Sequence, residues 1–265
     1  MSRVIRITAL TTALAAALGG AARGQDRPFV FSIATATDTS TPALRVDFDF
    51  GAGESMFRSS QSEGPEQRVG LQVSADRFTF IGRFGIATDT EDSYQSWQEG
   101  DVLYSVTSGR APVRLAVGGG VLREVDGTNV FLAHVIAAHD TEFTRTNANL
   151  RLEHAAAPGR DAVDVIVSGG WARMLGRGVS VGVEGLGEDL EGFWDPTEAE
   201  GGSRILVGPT LHLAPDGHKW QLSTVGGPTF HPDATSRTTD AVRELPPGTA
   251  RVGYAVQVTF AIAVF

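Results

Sequence analysis

The final segment, Arg251–Phe265, constrains the fold more than any other stretch of the chain. Val252, Tyr254, Val256, Val258, Phe260, Ile262 and Val264 fall on one parity. Arg251, Gly253, Ala255, Gln257, Thr259, Ala261 and Ala263 fall on the other. A period of two belongs to a β-strand, whose successive side chains point to opposite faces. One face here is large and apolar, and the other is small or polar. A strand this long and this one-sided must lay its apolar face against a core or against lipid.

The opposite end of the chain points to export. Residues 1–24 read as a signal peptide: Arg3 and Arg6 form a charged start, Ile7–Leu18 an apolar centre, and Ala22-Arg23-Gly24 a small-residue cleavage site before Gln25. The apolar run is shorter than the roughly 20 residues a membrane helix needs. Cleavage removes Arg3, Arg6, Arg23 and no acid, which leaves 241 residues with 19 bases against 31 acids, a net charge of −12. Such an acidic surface argues against nucleic acid as a partner. With no cysteine there is neither a disulfide nor a lipid-attachment site. No later apolar run has the length of a membrane helix, so any crossing must be made by strands. Strands can cross lipid only as a closed barrel, in which every backbone group is paired.

Alternating segments recur between turn signals, and they predict twelve strands: Ala43–Phe50, Gln67–Ser74, Phe78–Ala87, Gln95–Thr107, Pro112–Val125, Thr128–His139, Phe143–His154, Ala162–Ala172, Gly178–Gly185, Arg204–Leu213, Lys219–Val225 and Ala250–Phe265. Their connections differ in length. Gly51–Glu66, Leu186–Ser203 and Gly226–Thr249 are long, and all are odd-numbered. Ala75–Arg77, Leu175-Gly176-Arg177 and Ala214–His218 are short and even-numbered; Asp126-Gly127 is a tight odd exception. An up-and-down transmembrane barrel with both termini in the periplasm predicts this segregation. The expected layout is a signal peptide over 1–24, a periplasmic lead-in over 25–42 and an antiparallel barrel over 43–265. Phe29–Ala36 is a possible thirteenth strand, but an odd count makes the lead-in the preferred reading.

One parity of these strands carries the charges. Arg45, Asp47, Asp49, Arg83, Arg114, Arg151, Glu153, Asp164 and Glu184 are the candidate lumen-lining residues. Gly118, Gly120, Gly182 and Ala255, on the same weakly polar parity, would leave room for water. A soluble barrel with its apolar face inward would alternate equally well, so the pattern leaves inside and outside open. Trp97, Trp171, Trp194 and Trp220, with Tyr94 and Tyr254, could form interfacial girdles or pack a soluble core.

The export signal, the strand pattern, the loop asymmetry and the terminal Phe265 together make the chain resemble outer-membrane β-barrel proteins over Ala43–Phe265. The resemblance implies the outer membrane of a Gram-negative bacterium, with lipid and lipopolysaccharide around the barrel. It also implies recognition of the C-terminal strand by the barrel-assembly machinery. In that class the bulky residues share the parity of the terminal aromatic; here Phe265 shares parity with Ala263, Ala261 and Thr259.

The chain carries few signs of catalytic or metal chemistry. None of the six histidines sits in the motifs of the outer-membrane hydrolases; His139-Asp140 comes nearest, and it falls at a short turn. Gly182-x-x-Gly185-x-Gly187 lacks the helix a nucleotide loop requires. No zinc spacing is present. Glu188, Asp189, Glu191, Asp195, Glu198 and Glu200 make an acidic connection that could gather divalent cations or could simply be solvated. The expectation is a non-enzymatic barrel without a cofactor, a narrow polar channel for small solutes or ions. The alternatives are a structural or adhesive barrel acting through its long outer loops, and a lipid-facing hydrolase.

Overall fold

The computed structural model describes residues 28–32, 39–53, 65–88, 94–107, 111–158, 163–190, 203–230 and 252–264. The expected signal peptide, Phe265, Trp194 and Glu191–Glu200 of the acidic connection lie outside these residues. Twelve strands are present: β1 (Thr39–Gly53), β2 (Glu66–Asp76), β3 (Phe78–Thr88), β4 (Tyr94–Ser105), β5 (Arg114–Arg123), β6 (Asn129–Asp140), β7 (Thr144–Ala155), β8 (Asp164–Gly176), β9 (Val179–Glu188), β10 (Arg204–Leu213), β11 (Trp220–Phe230) and β12 (Val252–Ala263). Each pairs antiparallel with its neighbours in the chain, and β12 returns to β1, so the sheet closes into an up-and-down barrel with no edge. At the seam Asp47 faces Ala261, Phe48 faces Phe260 and Asp49 faces Thr259. The Thr259 hydroxyl donates to the Asp49 carboxylate across it.

Alternation now has a direction. Phe48, Phe80, Phe131, Val135, Val181 and Val256 are exposed on the outer surface. Arg45, Asp47, Asp49, Arg151 and Glu153 are buried inside. Lone exposed hydrophobes are ordinary on a water-soluble protein, but a belt that runs round every strand is not. Aromatic side chains cluster toward the two ends of this belt. Phe78 packs on Phe80 and Tyr104, and Trp220 on Phe260, near one rim. Tyr94 and Tyr254 stand exposed toward the other. Trp97 does not join them: it points inward, 2% exposed, and donates its indole N–H to Glu66 Oε1 at 2.9 Å. It lies on the parity of Glu99 and Asp101, so strand geometry turns it away from the belt.

Antiparallel strands place the odd connections at one rim and the even ones at the other. The odd rim carries 54–65, 189–203 and 231–251; the even rim carries the single-residue turn Arg77, 141–143 and 177–178. At the Asp126-Gly127 turn Gly127 has φ of 89°, and Asp126 Oδ1 accepts from the Thr128 N–H at 2.8 Å.

Most strand ends shift by a residue or more from the sequence reading, and three of the shifts bear on the interior. β1 starts at Thr39, and its register with β2 slips between Thr39 and Ala43, around Pro42, which has no N–H to donate to a ladder. β9 runs on to Glu188, so Glu188 and Asp189 are buried beside the wall rather than solvated. β11 continues through Gly226-Gly227-Pro228 to Phe230, with Gly227 facing Ala255 and Pro228 facing Tyr254 of β12. Locally those three residues are turn signals; pairing with β12 overrides them. The described residues Pro28–Ser32 form no strand and lie inside the barrel; residues 33–36 of the possible thirteenth strand lie outside the described residues.

Candidate channel interior

The interior is built in two halves. β1–β4 and β7 supply charge. On β1, Arg45 Nε sits 2.8 Å from Asp47 Oδ1, and its Nη2 donates to Gln72 Oε1 of β2 at 2.7 Å. Arg68 of β2 pairs with Asp49 at 3.3 Å. A second network spans the barrel wall. Arg83 of β3 pairs with Glu99 of β4 and approaches Asp101 at 3.5 Å. Arg151 of β7 reaches across β5 and β6 to donate to Glu99 Oε2 at 2.7 Å, and also pairs with Glu153 on its own strand. His134 Nε2 lies 3.0 Å from Asp101 Oδ1. Burying a charge without a partner is costly, and these charges are neutralised by one another.

The glycines of β5 explain how side chains cross there. A Cβ on Gly120 would overlap Asp101 Oδ1, and one on Gly118 would stand 2.5 Å from Leu103 Cδ2. The space expected to hold water is occupied by side chains of β4. Above and below the charged level are small apolar layers. Trp97, Leu122, Val130, Leu132 and Ala155 form one toward the odd rim. Ile81, Leu103, Ala116 and Ile136 form the other toward the even rim.

β8–β12 supply a different wall. Many of its inward positions are hydroxyl, small or apolar, Ser168, Thr210, Ser223, Thr259 and Ala261 among them, with Asp164, Glu184 and Glu188 as buried carboxylates between them. Toward the odd rim Leu186, Leu206, Val225 and Ala255 form an apolar patch, one residue from each of β9–β12. Glu184 of β9, 1% exposed, stands beside this patch.

Of the sequence-expected lining residues, Arg45, Asp47, Asp49, Arg151, Glu153, Asp164 and Glu184 are buried inside the barrel, and Arg83 is nearly so. Arg114 differs: it sits at the even rim, where it pairs with Asp140 at 2.7 Å in a partly exposed bridge. His139, next to Asp140, is exposed, with Nδ1 against the Pro112 carbonyl. The sequence reading missed Glu66, Glu99, Asp101 and His134. β4 mixes Trp97 and Leu103 with Glu99 and Asp101 on one parity, so neither face of that strand is cleanly polar. The one available signal was the spacing of Glu99 and Asp101 two residues apart, matching Asp47 and Asp49. His212 Nδ1 lies 2.8 Å from Ser223 Oγ, and both are buried, away from the outer surface. Among the described residues no cluster of three metal-ligating side chains is formed.

No protein-family model matches the chain, and no curated protein does. Solved structures do. A structure described as "KdgM porin in complex with disordered oligogalacturonate" superposes with a TM-score of 0.56 at 11% identity, covering 82% of this chain and 98% of that one. A second, "KdgM porin", gives a TM-score of 0.51 at 11% identity over 81% and 97%. At this identity the likeness is one of fold.

Proposed function

We propose that the chain is an outer-membrane channel of a Gram-negative bacterium, passing small solutes or ions through a narrow polar interior. One observation carries the reading: a closed barrel with an apolar belt outside and a charged, hydrogen-bonding interior. That arrangement suits lipid on one side and water on the other. The fold it shares with the KdgM porin supports the same reading. The nine lining residues named from the sequence, joined by Glu66, Glu99 and Asp101, would set the field a solute meets.

The sign of that field distinguishes solutes. With the rim pair Arg114–Asp140 set aside, inward carboxylates (Asp47, Asp49, Glu66, Glu99, Asp101, Glu153, Asp164, Glu184 and Glu188) outnumber inward guanidiniums (Arg45, Arg68, Arg83, Arg145, Arg151 and Arg204). We therefore assign a preference for cations or neutral solutes; a polyanion such as an oligogalacturonate would be repelled. Reconstituted into planar bilayers, the protein should pass current with a reversal potential on the cation side in a salt gradient. Asp47→Asn with Asp49→Asn should move it toward the anion side. If neither the folded wild type nor any folded variant with an altered interior passes current at any voltage, the channel reading is overturned. The internal pairing of charges favours the second reading, a structural barrel working through its odd-rim loops, and that reading would then stand.

A further inference from the structure

The segment Pro28–Ser32 lies inside the barrel, against the β8–β12 wall, and it is fitted to that wall by several independent features. Glu184 accepts three successive backbone N–H groups: Val30 at 2.9 Å, Phe31 at 2.7 Å and Ser32 at 3.1 Å. Converging backbone donors of this kind form a concave anion site, and here the anion is part of the wall. Val30 is fully buried in the patch made by Leu186, Leu206, Val225 and Ala255, with Phe31 and Ile166 packed against it. Phe29, 1% exposed, fills the space above Gly170 so closely that a Cβ there would stand 2.5 Å from its ring. Ser32 Oγ meets Ser168 Oγ at 3.3 Å.

A wet channel has no use for an apolar patch on its inner wall, and a glycine at position 170, inside β8, adds nothing to strand stability. Both make sense as a receptor for these residues. The opposite wall is already filled by the Arg83–Glu99–Arg151 network, so the segment occupies the part of the cross-section that remains. Resting on the channel reading above, we propose that Phe29–Ser32 is a built-in plug. Held by Glu184 and the apolar patch, it closes the lumen; withdrawn, it leaves a carboxylate that water can hydrate and a path along β8–β12. It is held through Glu184, the apolar patch and Ser168, and none of the twelve strands depends on it for backbone pairing. It can therefore leave without unfolding the wall.

Two variants of the full chain test this from opposite sides. Phe31→Pro removes the shortest N–H donor to Glu184 and leaves every strand unchanged. Gly170→Leu places a side chain where Phe29 now sits, in a strand position that accepts one readily. Each should raise mean single-channel conductance severalfold over wild type. The chain contains no cysteine, so Val30→Cys supplies a unique thiol. That thiol should resist a water-soluble maleimide in the otherwise unaltered protein and be labelled severalfold faster when combined with either variant. Folding of every sample is checked by its compact, heat-sensitive migration in detergent gels. Equal currents in wild type and both variants, with the introduced thiol equally protected throughout, would overturn the plug and leave the channel standing. Silence from all three folded proteins would overturn the channel reading, and the plug with it.

Discussion

Arg151 illustrates what a carboxylate-rich interior requires of a cation. It donates to Glu99, three strands away in the charged wall, and pairs with Glu153 on its own strand. Removing one member of a buried charge network leaves the others uncompensated, at a cost of about 3–5 kcal/mol. Arg151→Met should therefore destabilise the barrel by an amount of that order, measured by denaturant unfolding in detergent micelles. Adding Glu99→Gln should recover part of the loss, because the second change removes the stranded charge. If the single and double variants both match wild type in stability, the network contributes nothing. At this scale the parity of β1, β7, β8 and β9 was legible, because most of their Leu, Val and Phe residues stand on one parity and most of their Arg, Asp and Glu residues on the other. The parity of β4 was not, since Trp97 and Leu103 share a face with Glu99 and Asp101. The interior position of Phe29–Ser32 was not legible either. Its bonds to Glu184 and Ser168 join residues more than a hundred positions away, and nothing local in Pro-Phe-Val-Phe-Ser records them.

Strands and their glycines set the next scale. β10 and β11 approach closely where Gly208 meets Gly226 and Gly227. A Cβ on Gly227 would overlap the Val207 carbonyl oxygen and stand 2.8 Å from Gly208 Cα. Both are backbone atoms, which cannot rotate aside. Gly82 of β3 faces outward with no atom within 4 Å of a Cβ there. Gly227→Val should thus impair barrel assembly, whereas Gly82→Val should be tolerated or slightly stabilising, since a β-branched residue suits an open strand position. The amount of heat-sensitive folded protein in membranes distinguishes them; equal yields would mean that the two strands can move apart. The same crowding explains why β11 was read too short from its sequence. Gly226-Gly227-Pro228 is a turn signal in isolation, but here the glycines are demanded by a neighbouring strand and the proline lies within the ladder to β12.

For the whole molecule, the segregation of connections predicts an orientation. If the odd rim faces outward, protease added to intact cells should cut within 191–202 or 231–251 and spare 214–219. Cutting confined to the even connections would mean that the barrel is inverted. The strand number, the closure and the loop asymmetry were all legible, because each follows from repeated local patterns. Which face was outside was not, since alternation is symmetric with respect to that choice, and only the closed ladder with its apolar exterior resolves it.

Pairing of β12 with β1 also governs the order in which the protein can be made. The closing bond between Asp49 and Thr259 joins residues 210 positions apart, so the first wall strand to be synthesised waits for the last. Until Val252–Ala263 arrives, β1 and β11 each present a row of open N–H and C=O groups, the template on which foreign strands add. The entropy of closing the longest loop in the chain falls on that final step. A chain that loses its last strand is thus left as an open, sticky sheet with no smaller barrel to settle into, and its safe passage depends on being shielded until the final residues are in place.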